Sequence, residues 1–83
     1  MDIERGCIIW DGDAWRLILI HDTTDQRLSP PISEARLRAM RAGALHSVRK
    51  MAAVLNGPLR EWVAQCAPED VQSIARSVAS VPI

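Results

Sequence analysis

The sequence contains no phenylalanine and no tyrosine, so three tryptophans make up its entire aromatic content. Trp10, Trp15 and Trp62 therefore supply much of its side-chain bulk, and a buried indole N–H needs a hydrogen-bond partner. We expect all three to anchor the core or its edge. For Trp10 and Trp15 there is a second interpretation, as exposed contact residues, because tryptophan is enriched among the residues that dominate binding energy at protein interfaces.

Cysteine is also scarce, with only Cys7 and Cys66 in the chain. A disulfide-stabilised domain of this size usually carries about four to eight cysteines, so we expect two reduced thiols in a cytoplasmic protein. Apolar runs such as Leu17 to Ile20 are far shorter than the ~20 residues of a transmembrane helix. The acidic start does not resemble a signal peptide, and we therefore expect no association with a membrane.

The usual patterns of metal and catalytic sites are missing as well. His21 and His46 are the only histidines, and neither lies near a cysteine at the spacing of a zinc site. The pair Asp11 and Asp13 does not continue into a calcium-binding loop, and the glycines stand singly instead of forming a phosphate-binding loop. The sequence therefore predicts a protein that is not an enzyme, with no catalytic residue, metal or cofactor.

Charge is present in both signs but is unevenly distributed, although the formal net charge is +0. Residues 1–28 contain six acidic residues and three arginines, and the six are Asp2, Glu4, Asp11, Asp13, Asp22 and Asp25. Residues 29–57 contain Glu34 as their one acidic residue and five basic residues, which are Arg36, Arg38, Arg41, Arg49 and Lys50. An acidic front and a basic middle suit electrostatic complementarity with a partner.

A chain of 83 residues has room for a single domain, which we place over residues 1–83. Residues 1–28 are predicted to form an acidic β-hairpin segment, because β-branched and aromatic residues flank Asp11-Gly12. An Asp-Gly pair favours a tight turn in which both central residues have positive φ. Arg27, Leu28 and Ile32 are candidates for a short third strand at the edge of this hairpin.

The second arm of the hairpin is apolar on both of its faces. Alternation along a strand places Leu17 and Leu19 on one face and Arg16, Ile18 and Ile20 on the other. A two-stranded ribbon is marginal in water, so both faces need cover. Helices can cover one face. The other needs a third strand, a partner chain, or burial of the aliphatic part of the arginine.

Residues 33–56 are predicted to form one long, basic, amphipathic helix that begins after Ser33 and ends at Asn56-Gly57. Its apolar stripe has helical spacing and consists of Leu37, Met40, Ala44, Val48, Met51 and Leu55. Gly43 lies inside this helix and indicates a close helix crossing or a slight kink. Residues 58–80 are predicted to form two short helices that begin at Pro58 and Pro68. The fold class is α+β, with one long and two shorter helices on one face of the sheet.

These features favour a small non-enzymatic protein-binding module that acts through a protein partner or by self-association. By analogy, many small adaptors, inhibitors and antiactivators encoded on mobile elements have this character. The predicted partner-binding residues are Trp10, Trp15, Arg38, Arg41 and Arg49. A homodimer is expected to form through the hairpin edge or through the stripe containing Met40 and Met51.

The alternative is a nucleic-acid-binding regulator that contacts phosphates with the basic helix. The residues assigned to that role are Arg36, Arg38, Arg41, Arg49 and Lys50. A solvated helix surface opposite an apolar stripe explains the same charges without any ligand. Readout of DNA by a helix-turn-helix is disfavoured, because the last predicted helix begins with Glu69-Asp70, which repel phosphates.

Overall fold

A computed structural model describes residues 5–21 and 25–83 as a three-stranded sheet followed by four helices. The strands are β1 (Gly6–Trp10), β2 (Trp15–Ile20) and β3 (Gln26–Leu28). The helices are α1 (Glu34–Ala44), α2 (Val48–Ala53), α3 (Gly57–Ala64) and α4 (Pro68–Ala79). The predicted α+β class is confirmed. Of the acidic residues in the first segment, Asp2, Glu4 and Asp22 lie outside the described residues.

The sheet is antiparallel, with β2 in the centre and β1 and β3 on its two sides. This arrangement confirms the hairpin and the short third strand, and Ile32 adds a single bridge opposite Trp15. The prediction of a tight Asp-Gly turn with two positive φ angles is wrong. Residues 11–14 separate the two strands, and among these four residues only Gly12 has positive φ, at 101°. Asp11 Oδ1 instead accepts hydrogen bonds from the backbone N–H groups of Asp13 and Ala14, each at 2.9 Å.

The single long helix predicted over residues 33–56 is also wrong, because the chain breaks into α1 and α2 at residues 45–47. Ser33 caps the N-terminus of α1 as predicted. Ser47 caps the N-terminus of α2, because its side chain accepts a hydrogen bond from the backbone N–H of Lys50 at 3.0 Å. A Cβ at Gly43 would lie 2.6 Å from the carbonyl oxygen of Lys50. The close helix crossing predicted at Gly43 is therefore present, and it lies between α1 and the backbone of α2.

All four helices contribute to one core on a single face of the sheet. Helix α4 packs on β1 and against α1, and Leu17 and Leu19 share a buried cluster with side chains of every helix. The members of this cluster that are completely inaccessible are Leu17, Leu37, Met40, Met51, Ile74 and Val78. In the described part of the chain, no helix combines the length and the apolar character needed to cross a membrane.

Candidate protein interface

The face of the sheet that points away from the helices carries a second set of apolar side chains. Strand pairing places Cys7 opposite Ile18, and Ile18 opposite Leu28, so these three residues form a row across the sheet. Ile9 and Ile20 lie on the same face by strand alternation. We call this surface the outer face, and its apolar residues are Cys7, Ile9, Ile18, Ile20 and Leu28.

The helices leave the outer face without a covering layer. Ile18 is only 8% exposed, yet neither it nor any other apolar residue of the outer face belongs to the core cluster or packs against it. Leu28, at the edge, is 51% exposed. Within residues 5–21 and 25–83, the core cluster thus lies on one side of the sheet only.

Arg16 is a charged residue of the outer face, and its charge is compensated within the chain. Its Nε donates to Asp11 Oδ2 at 2.6 Å, and its Nη1 donates to the carbonyl oxygen of Ser29 at 2.9 Å. Backbone hydrogen bonds from Asp13 and Ala14, and then the side-chain bond from Arg16, lower the pKa of Asp11 to about 2. The carboxylate is therefore ionised at neutral pH, and it offsets the charge of Arg16.

The free edge of β1 is closed by two serines of α4. Ser73 Oγ accepts from the Gly6 N–H at 3.2 Å and donates to the Gly6 carbonyl at 2.8 Å, and Ser77 Oγ accepts from the Ile8 N–H at 3.0 Å. Groups that a new strand would need are already bonded. Gly6 and Ile8 therefore do not offer these groups to a second copy, whereas β3, at the other edge of the sheet, has no strand beside it among residues 5–21 and 25–83.

The two tryptophans assigned to partner binding do not lie on the outer face. Trp10 and Trp15 are paired in register at the turn end, on the face shared with Leu17, and their rings meet edge to face with centroids 5.5 Å apart. Trp15 packs against the core, whereas Trp10 is 55% exposed. Trp15 is half-buried, so Trp10 is the more accessible of the two predicted contact residues, at one end of the sheet.

The basic residues divide between structural and exposed positions. Arg36 donates to the carbonyl oxygen of Val54, and Arg41 Nε donates to that of Val81 at 2.6 Å. Arg38 is exposed and pairs with Glu34 at 2.8 Å, while Arg49 and Lys50 are exposed on α2. The break between α1 and α2 divides the basic surface that the phosphate-binding hypothesis placed on one helix. Met40 and Met51, proposed as a dimer stripe, are fully buried in this chain's own core.

The cysteines form no disulfide, and Cys66 has the environment of an unreactive thiol. Burial raises its pKa, the nearby Asp70 carboxylate raises it further, and Arg27 opposes the shift. A raised pKa keeps the sulfur protonated and poorly nucleophilic. Among residues 5–21 and 25–83, no group of three or more His, Cys, Asp or Glu side chains is arranged to hold a metal ion.

Sequence reasoning recognised the apolar second face of β2 but did not assign contact residues to it. The signal was the run from Leu17 to Ile20, which leaves no polar face once Arg16 is paired. Comparison of the chain with protein-family models, curated proteins and solved structures found no match. The outer face is therefore the candidate functional site on the strength of its own geometry.

Proposed function

We propose that this chain is a small protein-binding module, of the adaptor, inhibitor or antiactivator type, that engages its partner through the outer face of the sheet. The observation that carries the proposal is an apolar sheet face whose residues lie outside the core cluster formed with the four helices of the described residues 5–21 and 25–83. A partner that covers this face would bury its apolar side chains, as the helices bury those on the opposite face of the sheet. We place the protein in the cytoplasm, in keeping with its low cysteine content.

The outer face is smaller than a standard protein interface, which buries about 800 Å² on each partner. Three strands about 4.8 Å apart and five residues at about 3.3 Å each define an area of about 14 by 17 Å. Ile18 is already 8% exposed in the single chain, so the apolar surface left to bury is smaller than this area. The full area of about 240 Å² would contribute at most about 6 kcal/mol at 25 cal/mol per Å², before the entropic cost of association is subtracted. Trp10 is exposed at the turn end but on the opposite face of the sheet, so it lies outside this area.

The experiment compares two leucine variants of a tagged full chain. Proteins captured from a lysate of the native host are identified by mass spectrometry, purified, and titrated against each variant by calorimetry. We expect Leu28→Asp to weaken binding at least tenfold, because it places a charge on the outer face. Leu45→Asp is the matched control, since Leu45 is 58% exposed at the junction between α1 and α2. Equal affinities for both variants would contradict the assignment of the interface.

A second arm separates protein binding from phosphate binding. Random duplex DNA and single-stranded RNA are titrated with the chain at ~50 and ~200 mM salt, a range over which phosphate contacts lose much of their affinity. In a gel-shift assay, we expect the chain not to retard either nucleic acid at the lower salt concentration. Strong binding that falls steeply with salt and is lost in Arg49→Ala would instead support the nucleic-acid hypothesis.

A further inference from the structure

A cavity of about 400 Å³ lies beside the starts of α1 and α3, and the described residues that line it include none from the outer face. Its apolar lining includes Ile32 and Leu59, which are 3% and 7% exposed and belong to the core cluster. Pro30, Pro31 and Pro58 also line it, and each proline ring fixes its own φ. The lining is therefore rigid, and a ligand meets a site that needs little ordering.

Arg36 is the one charged residue among the described residues that line this cavity. Its Nη1 donates to the carbonyl oxygen of Val54, which anchors the guanidinium group. In the described part of the chain, its Nε and Nη2 have no acceptor, and no carboxylate lies within ion-pair distance of it. Glu34, the nearest acidic residue in sequence, pairs with Arg38 instead. The Nε–Nη2 edge presents two parallel N–H donors, which is the geometry that the two oxygens of a carboxylate accept.

We propose that this cavity binds a small organic acid, with the carboxylate on Arg36 and the apolar part of the ligand against Ile32, Leu59 and the prolines. An apolar lining with a single cation suits a ligand that has one negative charge and an apolar body. The volume lies near the lower end of the range of small-molecule sites, about 300 to 1,000 Å³, so the ligand is compact. The cavity is separate from the outer face, and this inference therefore does not depend on the proposed function.

The test is an NMR titration of the isotope-labelled full chain with N-acetyl-leucine up to about 20 mM, because ligands of this size bind weakly. We expect saturable shifts of the backbone amides that line the cavity, and roughly fivefold or weaker binding of the neutral N-acetyl-leucinamide. Ser33 lines the cavity and caps α1, and aspartate caps a helix about as well as serine. Ser33→Asp should therefore keep the fold and weaken binding of the acid roughly fivefold, by placing a carboxylate in the cavity. Ser47→Asp, which changes the cap of α2, is the matched control and should leave the affinity unchanged.

Circular dichroism establishes that each variant is folded, and the comparison of acid with amide on the wild-type chain needs no variant. The inference is overturned if no saturable shift occurs up to the highest concentration, or if the acid and the amide bind equally. Equal losses in the two serine variants also overturn it, because the added charge then acts from outside the cavity. Inorganic phosphate and a tetrapeptide ending in leucine are titrated in parallel. Tighter binding of phosphate, or binding of the peptide roughly tenfold tighter than that of the acid, overturns the assignment to a small organic acid.

Discussion

Replacing Gly43 with alanine is expected to destabilise the protein by about 2 kcal/mol, against the direction that helix propensity predicts. Alanine in a helix interior is normally favoured over glycine by about 1 kcal/mol. At this position the new Cβ would lie 2.6 Å from Lys50 O, 2.7 Å from Lys50 C and 2.8 Å from Met51 N. These atoms belong to the backbone of α2, so relief requires α1 and α2 to separate and the core between them to loosen.

Urea unfolding followed by tryptophan fluorescence measures this change, with Ala42→Gly as the control. Ala42 is exposed on α1 next to Gly43, so its replacement reports the propensity difference without the steric term. If Gly43→Ala instead stabilises the protein by about the amount that Ala42→Gly costs, the close crossing of α1 and α2 is absent.

The second large effect is expected for Ser73→Ala, which should cost about 2–3 kcal/mol. Ser73 is 3% exposed, and its hydroxyl satisfies both the N–H and the carbonyl of Gly6. Alanine removes both bonds and leaves two backbone groups of β1 buried without partners. The position cannot relax by moving β1 closer, because the site of a Cβ on Gly6 already lies 2.6 Å from Ile74 Cγ1.

Ser80→Ala is the matched control for this variant. Its hydroxyl also donates to a backbone carbonyl, that of Arg76 at 3.0 Å, but the residue is exposed. Loss of an exposed bond should change the free energy of unfolding by less than about 0.5 kcal/mol, because water replaces it. Comparable costs for the two serine variants would show that the edge of β1 is not held by α4.

Local chemistry made much of the fold predictable. Ser33 caps α1, and Pro58 and Pro68 occupy the first turns of α3 and α4, as their backbone preferences dictate. The break between α1 and α2 was harder to predict. The apolar stripe continues across it in helical register, and the determining contact is between Gly43 and the backbone of Lys50, which exists only after the chain folds back.

The site was less predictable for the same physical reason. Tryptophan is frequent at protein interfaces, but Trp15 packs against the core of its own chain. Whether a tryptophan contacts the core or a partner depends on tertiary packing, which the sequence pattern does not show. The charge of Arg36 and Arg41 implied an exposed ligand surface, yet both guanidinium groups donate to carbonyls of distant segments. By contrast, the presence of apolar side chains on both faces of β2 could be predicted, because the alternation of side chains along a strand is a local property.

The most direct test of the central claim asks whether the chain covers its own outer face. Methyl groups of isoleucine and leucine are labelled, and a soluble paramagnetic agent is added at about 20 μM protein, below the range of a weak dimer. We predict strong relaxation of the methyl groups of Ile9, Ile20 and Leu28, and little for Ile74 and Leu17, which are fully buried. Protection of Ile9, Ile20 and Leu28 at this concentration, in a particle of monomeric mass, would contradict the account.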